Sequence, residues 1–459
     1  MSHFRIMKWL TSPWLSGLLL FLLLLLSYDS WNQRCQDDNY GQLQDQNLYK
    51  NQNKNQGQSQ NQTKGQARPS PVAEDSGCQA YGHYHGYLEE EFKVYKLDEA
   101  STKGYFDFCH SACLHLIIRE GRIYVKRFIP GYESRTRATL LQVFNVWARF
   151  GSRLFPDADI ILDVTDGDYQ TNLPVFYISR KKAEFGGGRG HGVLYPDFTF
   201  FSWPESICAA DREISHSYIS LHENYRKLND PQSERYKPFS SRTNKLLWRG
   251  GKLMTNKRDV ALHNLLRLQD LQRQANSSMS TEIDVAYMTW HGNNGVTGTV
   301  SQPDCTALID ECGNKFLAFL PGNTYSSRLK FQLQCGSVVI KGPDTFEEWW
   351  SPFQADFKLH HGNPYLELSN DTFDDAEEKI AFLEANPKEA EKIAMASRKF
   401  TEAILNPEAV ACYWLKLIEL SSKYLPQDRD INVNTLKPIE DVLMLDYSHR
   451  IVETKKPDQ

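Results

Sequence analysis

The acidic run Asp163-Val164-Thr165-Asp166-Gly167-Asp168 closes a stretch of strand-forming residues that begins at Ala158. Open α/β sheets bind ligands outside the carboxyl ends of their strands, so a carboxylate here stands where chemistry is done. It can serve as a general base that takes the proton of an attacking hydroxyl. Asp166 and Asp168 can equally form an Asp-x-Asp pair holding Mg²⁺ or Mn²⁺ on a diphosphate, and a solvated acidic turn fits the spacing as well. A second cluster runs from Asn323 to Ser337. Ser326 and Ser327 are N-cap residue types, and the helix they open follows directly on a strand. Arg328 and Lys330 in its first turn oppose the helix dipole. A phosphate-bearing ligand at that helix end resolves the conflict, although a solvated basic turn remains open. A third basic feature, Arg249-Gly250-Gly251-Lys252, ends another strand, where glycine permits close backbone approach.

Other patterns carry less. Gly186 to Gly192 lacks the Lys-Ser/Thr of a phosphate loop, does not sit between a strand and a helix, and reads as a mobile loop. His83-Tyr84-His85 has no third ligand in register. None of the nine cysteines forms a Cys-x-x-Cys pair or a zinc spacing with His, so no metal site is expected.

The elements that position these residues alternate between strand and helix patterns. Arg122–Lys126, Ala158–Val164 and Val175–Ile178 read as strands, and 138–150 as a helix with one apolar face. After a helical middle (210–230), the strands Lys245–Gly251, Asp284–Tyr287, Phe316–Phe319 and Ser337–Ile340 alternate with helices over 257–274 and 327–334. Residues 373–423 read as nearly continuous helix broken at Asn386-Pro387 and Asn406-Pro407. That rhythm predicts an α/β protein: parallel sheets covered on both faces, two Rossmann-like lobes and a helical C-terminus.

The 459 residues exceed what one core usually holds. With 52 basic against 57 acidic side chains, the composition argues against a dedicated nucleic-acid binder. From Trp9 the chain is almost wholly apolar as far as Leu26, about 18 residues spanning roughly 27 Å as a helix, enough for a thin bilayer. Arg5 and Lys8 precede this run, Asp29 follows it, and no small-x-small cleavage site comes after it. The expectation is a single-pass type II anchor with the body in a lumen. The Asn/Gln-rich stretch that follows cannot bury enough surface to fold. Sequons at Asn61, Asn276 and Asn370 and several pairable cysteines agree with a lumen. The expected divisions are a cytosolic tail (1–8), anchor (9–27), stem (28–71), acceptor and base lobe (72–235), donor lobe (236–405), a helix crossing back (406–425) and a polar tail (426–459). Two functions fit: a luminal nucleotide-sugar transferase, or a non-catalytic carbohydrate-binding or quality-control protein with the same fold.

From 78 to 425 the chain resembles the CAP10-like glycosyltransferases, the group containing Rumi-type protein O-glucosyltransferases and fungal β-1,2-xylosyltransferases. The resemblance rests on Ser326-Ser327-Arg328-Leu329-Lys330 through Cys335-Gly336-Ser337-Val338-Val339 and on Phe346-Glu347-Glu348-Trp349-Trp350. Tyr84-His85-Gly86, Asp163-Val164-Thr165-Asp166, Tyr195 to Phe200, Trp248-Arg249-Gly250 and Ala411-Cys412-Tyr413-Trp414 extend it. It implies a GT-B fold, UDP-sugar donors such as UDP-xylose or UDP-glucose, and inversion with neither a metal nor a cofactor. It implies Asp166 as base, and a donor site built from Gly250, Gly251, Lys252, Asn323, Thr324, Tyr325, Ser326, Ser327 and Arg328. Lys252 stands where Rumi-type members carry a second arginine, and Lys cannot contact phosphate in planar bidentate fashion. The family's spacing implies a Cys312–Cys335 disulfide, and Cys78–Cys412 is a second expected pair. Anchor and stem point to a Golgi or endoplasmic-reticulum membrane, with a glycan, glycolipid or glycoprotein as acceptor.

Overall fold

A computed structural model of the chain describes residues 77–444, apart from 110–111, 130–132, 168–170, 204–216, 252–256, 275–278, 289, 292–298 and 301–305. The expected anchor and stem, Asp168, Lys252 and the sequons at Asn61 and Asn276 lie outside the described residues. Among the described residues no helix is long and apolar enough to cross a membrane.

In chain order the first part comprises α1 (His83–Lys93), α2 (Glu99–Asp107), β1 (Cys113–Arg119), β2 (Arg122–Phe128), α3 (Glu133–Phe150), β3 (Ala158–Asp163), β4 (Phe176–Tyr177), β5 (Arg180–Lys181), β6 (Val193–Leu194) and α4 (Tyr218–Asn229). The second comprises β7 (Thr243–Gly250), α5 (Lys257–Arg273), β8 (Glu282–Tyr287), the hairpin β9 (Trp290–His291) and β10 (Thr299–Val300), α6 (Leu308–Glu311), β11 (Asn314–Phe319), α7 (Arg328–Gln334), β12 (Val338–Lys341), β13 (Phe346–Glu347), α8 (Gln354–His361), β14 (Leu366–Glu367), α9 (Ala376–Ala385) and α10 (Pro387–Ile404). The chain closes with α11 (Pro407–Tyr424) and β15 (Lys437–Pro438).

The second sheet, ordered β14-β12-β11-β7-β8, is parallel throughout, as the alternation predicts. Its central strands are buried because α5 covers it with Ala261, Leu262, Leu265 and Leu268, and α9 and α10 add Ile380, Leu383 and Ala394. Val260 and Leu266 of the same helix point outward.

The first sheet corrects the expectation of a parallel lobe. Its order is β15-β2-β1-β3-β4-β6, and only β3, β4 and β6 run parallel. β1 pairs antiparallel with both β2 and β3. The β1–β2 pairing follows from the two-residue turn Glu120-Gly121, with φ of 51° and 70°; positive φ at both central residues folds neighbouring strands into a hairpin. A side chain on Gly121 would meet the Ser152 carbonyl at 2.3 Å, so the turn demands glycine. Pro438, within the expected tail, supplies part of the edge strand β15 on β2.

The two sheets are joined in three ways. β5 pairs antiparallel with β13. Buried Arg180 bridges Glu91 of α1 (2.5 Å) and Glu347 of β13 (2.6 Å). Finally α11 packs on α1, β3 and α3: Trp414 donates to Gln142 at 2.6 Å, Tyr413 to the Leu194 carbonyl at 3.1 Å, and Cys412 is bonded to Cys78. Cys312–Cys335 is present too, and Cys109–Cys113 is a third bridge that the sequence reading did not anticipate.

Candidate active site

Asp163 ends β3, and its Oδ1 accepts from the Thr165 amide (2.7 Å) and hydroxyl (2.5 Å). That Asx-type turn reverses the chain and delivers Asp166 to the carboxyl end of the sheet. Burial pushes the Asp166 carboxyl above its ordinary value; a hydrogen bond from Thr324 and the charges of Arg135 and Arg258 pull it back, while Asp197 pushes the same way as burial. The Thr324 hydroxyl donates to Asp166 Oδ1 at 2.5 Å and is itself reached by Ser179 Oγ at 3.2 Å. Asp166 comes from the first sheet and Thr324 from the second, so the carboxylate sits where the two meet.

Asn323, Thr324, Tyr325 and Ser326 line a pocket between the β11–α7 loop and the segment after β12. Gly322 makes the loop possible: any Cβ there would stand 2.0 Å from the Tyr325 carbonyl oxygen. The opposite wall carries Asp344, Glu348 and Trp350, and Asp371 completes it. Among the described residues no Lys or Arg lines this pocket, whereas hydroxyls, an amide and carboxyls do. Its chemistry suits a neutral, hydroxyl-rich group. Glu348 is buried, and its carboxyl is pushed up to about 8, mainly by burial; Lys330 lowers it while Asp197 and Asp344 raise it.

The basic cluster is more divided than its sequence suggests. Arg328, only 10% exposed along its side chain, forms an ion pair with the buried Glu311, which also receives Gln332 Nε2 at 3.4 Å. The Lys330 ammonium is buried against Asp197 at 2.6 Å, with the Phe200 ring 4.6 Å away. This corrects the reading of both cations as phosphate-facing: Lys330 already has a carboxylate, supplied by the first sheet. Ser327 holds the N-cap position with helical dihedrals and no side-chain cap; its hydroxyl donates to Tyr325 Oη at 3.3 Å instead.

Gly250 ends β7, with the Trp248 ring 2.5 Å from where a Cβ would stand. Gly251 offers its carbonyl to Arg258 at 2.7 Å. The structure thus brings Asp166 together with Asn323 to Ser326, and ties Gly251 to the β11–α7 loop through Arg258. Sequence reasoning missed Arg258, Glu311 and Asp197. Arg258 carried a usable signal, a cation in the first turn of a helix that follows a glycine loop. Among the described residues no group of three or more His, Cys, Asp or Glu is arranged to hold a metal ion.

The model of glycosyl transferase family 90 matches residues 75–444. The chain belongs to glycosyl transferase family 90. It is accordingly a sugar-transferring enzyme, and the CAP10-like resemblance is borne out. Human protein O-glucosyltransferase 1 (Homo sapiens) is 24% identical over 350 residues, covering 74% of this chain and 80% of its own. The Bos taurus protein of that name gives the same identity over the same shares, and the Rattus norvegicus one 24% over 283 residues, 60% of this chain and 64% of its own. Among solved structures, Anabaena Alr3699/HepE in complex with UDP-glucose aligns with a TM-score of 0.27 at 12% identity, over 52% of this chain and 59% of that one, a likeness too slight to carry an argument. In this family-90 chain two of the resembling motifs do structural work. Tyr84 donates to the Ile404 carbonyl at 2.9 Å, and Ala411 to Trp414 fasten α11 to the first sheet.

Proposed function

We propose that this family-90 enzyme is an inverting, metal-independent transferase of GT-B-like organisation. It moves a sugar, xylose or glucose, from a UDP-sugar to a hydroxyl of a glycan, glycolipid or glycoprotein. Its place is a Golgi or endoplasmic-reticulum membrane, held by the apolar run 9–27 with the catalytic body in the lumen. The observation that carries the reading is Asp166: a carboxylate of raised basicity, beside a pocket of hydroxyls and carboxyls that suits a sugar. The curated relatives are named as glucosyltransferases, which supports glucose among the donors.

In this mechanism the Asp166 carboxylate takes the acceptor hydroxyl's proton as that oxygen attacks the anomeric carbon. The bond from that carbon to the diphosphate oxygen breaks on the opposite face, and UDP departs with the electron pair. Arg328 opens α7 directly after the Asn323–Ser327 loop, where a cation can stabilise charge developing on the leaving group. Gly250, Gly251 and Lys252 supply the second loop of the donor site. Burial between the sheets excludes water, which favours transfer over hydrolysis.

The test is UDP release and sugar transfer by the purified body over a panel of UDP-sugars, with anomeric configuration read by NMR. Turnover with UDP-xylose or UDP-glucose, inversion, and activity surviving EDTA are expected. Retention, or activity lost to EDTA and restored by Mn²⁺, overturns the mechanism in favour of the Asp166/Asp168 metal pair.

A further inference from the structure

Thr324, on the loop between β11 and α7, is only 6% exposed. Its hydroxyl donates to Asp166 Oδ1 at 2.5 Å, across the junction between the two sheets. A hydroxyl has one hydrogen to give, and buried Ser179 settles where this one goes. Ser179 Oγ donates to Thr324 Oγ1 at 3.2 Å, which fills an acceptor site and leaves the Thr324 hydrogen for the carboxylate. The relay therefore has one direction, Ser179 to Thr324 to Asp166. It starts between β4 and β5, crosses to the second sheet and returns to the first.

An ionised carboxylate only accepts, whereas a protonated one has a hydrogen of its own to place. The Thr324 bond thus favours the charged, proton-accepting form of Asp166 against burial and the Asp197 charge, which disfavour it. Arg135 of α3 and Arg258 of α5 act in the same sense as Thr324 through their charges. Charges at a distance set no angle, however. Among the described residues Thr324 alone hydrogen-bonds to Asp166, and it does so through Oδ1. That contact fixes the carboxyl plane and leaves Oδ2 for another partner.

We propose that Thr324 is a positioning residue for the base: its hydroxyl, aimed by Ser179, pins Oδ1 of Asp166 and presents Oδ2 to the attacking hydroxyl. The inference rests on the reading of Asp166 as base. It moves Thr324, which the resemblance implies for the donor site, to the acceptor half of the reaction.

The experiment follows UDP release from UDP-glucose and UDP-xylose, with water as acceptor, across the acid range. It compares the full wild-type chain with Thr324→Val, Thr324→Ser and Ser179→Ala, beside calorimetric titration of UDP. Thr324→Val keeps the shape and loses the hydroxyl. Without a hydrogen bond to the charged form, the carboxylate protonates at higher pH, so the acid limb of kcat/KM should rise by about one to two pH units. Plateau kcat should fall about 10-fold or more as the carboxyl plane loosens, with UDP affinity held within about threefold. Thr324→Ser keeps the hydroxyl and should hold the limb within about half a unit of wild type. Ser179→Ala should raise the limb by less than Thr324→Val, and it replaces that variant if the Val chain fails to fold. An unmoved limb in Thr324→Val, or in Ser179→Ala where it serves as the replacement, overturns the proposal and leaves the base reading intact. A Ser variant shifted as far as the Val variant does the same, as does UDP affinity lost with the limb in place. Asp166→Asn that releases UDP at the wild-type rate overturns the base reading itself.

Discussion

Replacing Arg328 by Ala removes two things at once, and the structure separates them. The first is a cation beside the donor loop. Losing one charge-assisted contact costs about 1.5–3 kcal/mol, so UDP affinity should fall roughly 10- to 150-fold. Because charge on the leaving group grows toward the transition state, kcat should fall beyond the binding loss. The second is the partner of Glu311, whose side chain is 2% exposed. Leaving a buried carboxylate unpaired costs about 3–5 kcal/mol. Burial already raises the Glu311 carboxyl while Arg328 lowers it, so the variant's folded Glu311 should rise further and bind a proton that the unfolded chain does not. A group raised in the folded state stabilises below its folded value and loses that contribution as pH climbs. The stability deficit of Arg328→Ala should therefore shrink as pH falls from neutrality toward the range where Glu311 protonates. Arg328→Ala combined with Glu311→Gln should recover much of the melting temperature and none of the UDP affinity. Calorimetric titration of UDP with thermal melts at several pH values measures both effects. Wild-type UDP affinity in the single variant refutes the donor role, and a deficit that does not change with pH refutes the account of Glu311.

Asp166→Asn should keep UDP affinity within about threefold while transfer falls at least about 10²-fold; a variant that transfers normally removes Asp166 as the base. Because burial raises Asp166, the acid limb of wild-type kcat/KM, measured from pH 4 to 8, should fall as pH drops through a value above the ordinary 3.8 of an aspartate. A limb at or below 3.8 contradicts this. Replacing both Cys312 and Cys335 with Ala opens a bridge across 23 positions and should cost about 3 kcal/mol in denaturant unfolding; a change under about 1 kcal/mol contradicts a stabilising role.

What the sequence revealed follows from range. Asp166 was legible because an apolar strand ends in an acidic turn within nine residues. The helical C-terminus was legible because Asn386-Pro387 and Asn406-Pro407 mark the breaks between α9, α10 and α11. Arg328 could be placed but not its partner, since Glu311 sits in an ordinary Leu-Ile-Asp-Glu turn that nothing local links to α7. Lys330 was misread because Asp197 lies 133 positions earlier and on the other sheet. The mixed first sheet was hidden in Glu120-Gly121, a weaker hairpin signal than Asn-Gly. The two-residue strands β5, β6 and β13 are too short to show a period, whereas β4 falls within the expected strand Val175–Ile178.

The seat of α11 on the first sheet has a consequence for biogenesis. The ribosome delivers Cys78 and the β3 scaffold early, but the helix that covers them comes 334 positions later, with Cys412. At roughly 5–20 residues per second the interval is about 17–67 s. Throughout it the nascent chain presents the apolar face meant for Tyr413 and Trp414, and Cys78 has only the wrong thiols for company, Cys35, Cys109 and Cys113 among them. With the body in the lumen, as proposed above, early bonds of this kind are undone by thiol–disulfide exchange. A nonsense codon between Leu329 and Pro407 spares every residue from Asp166 to Arg328, yet it releases a chain that quality control should destroy.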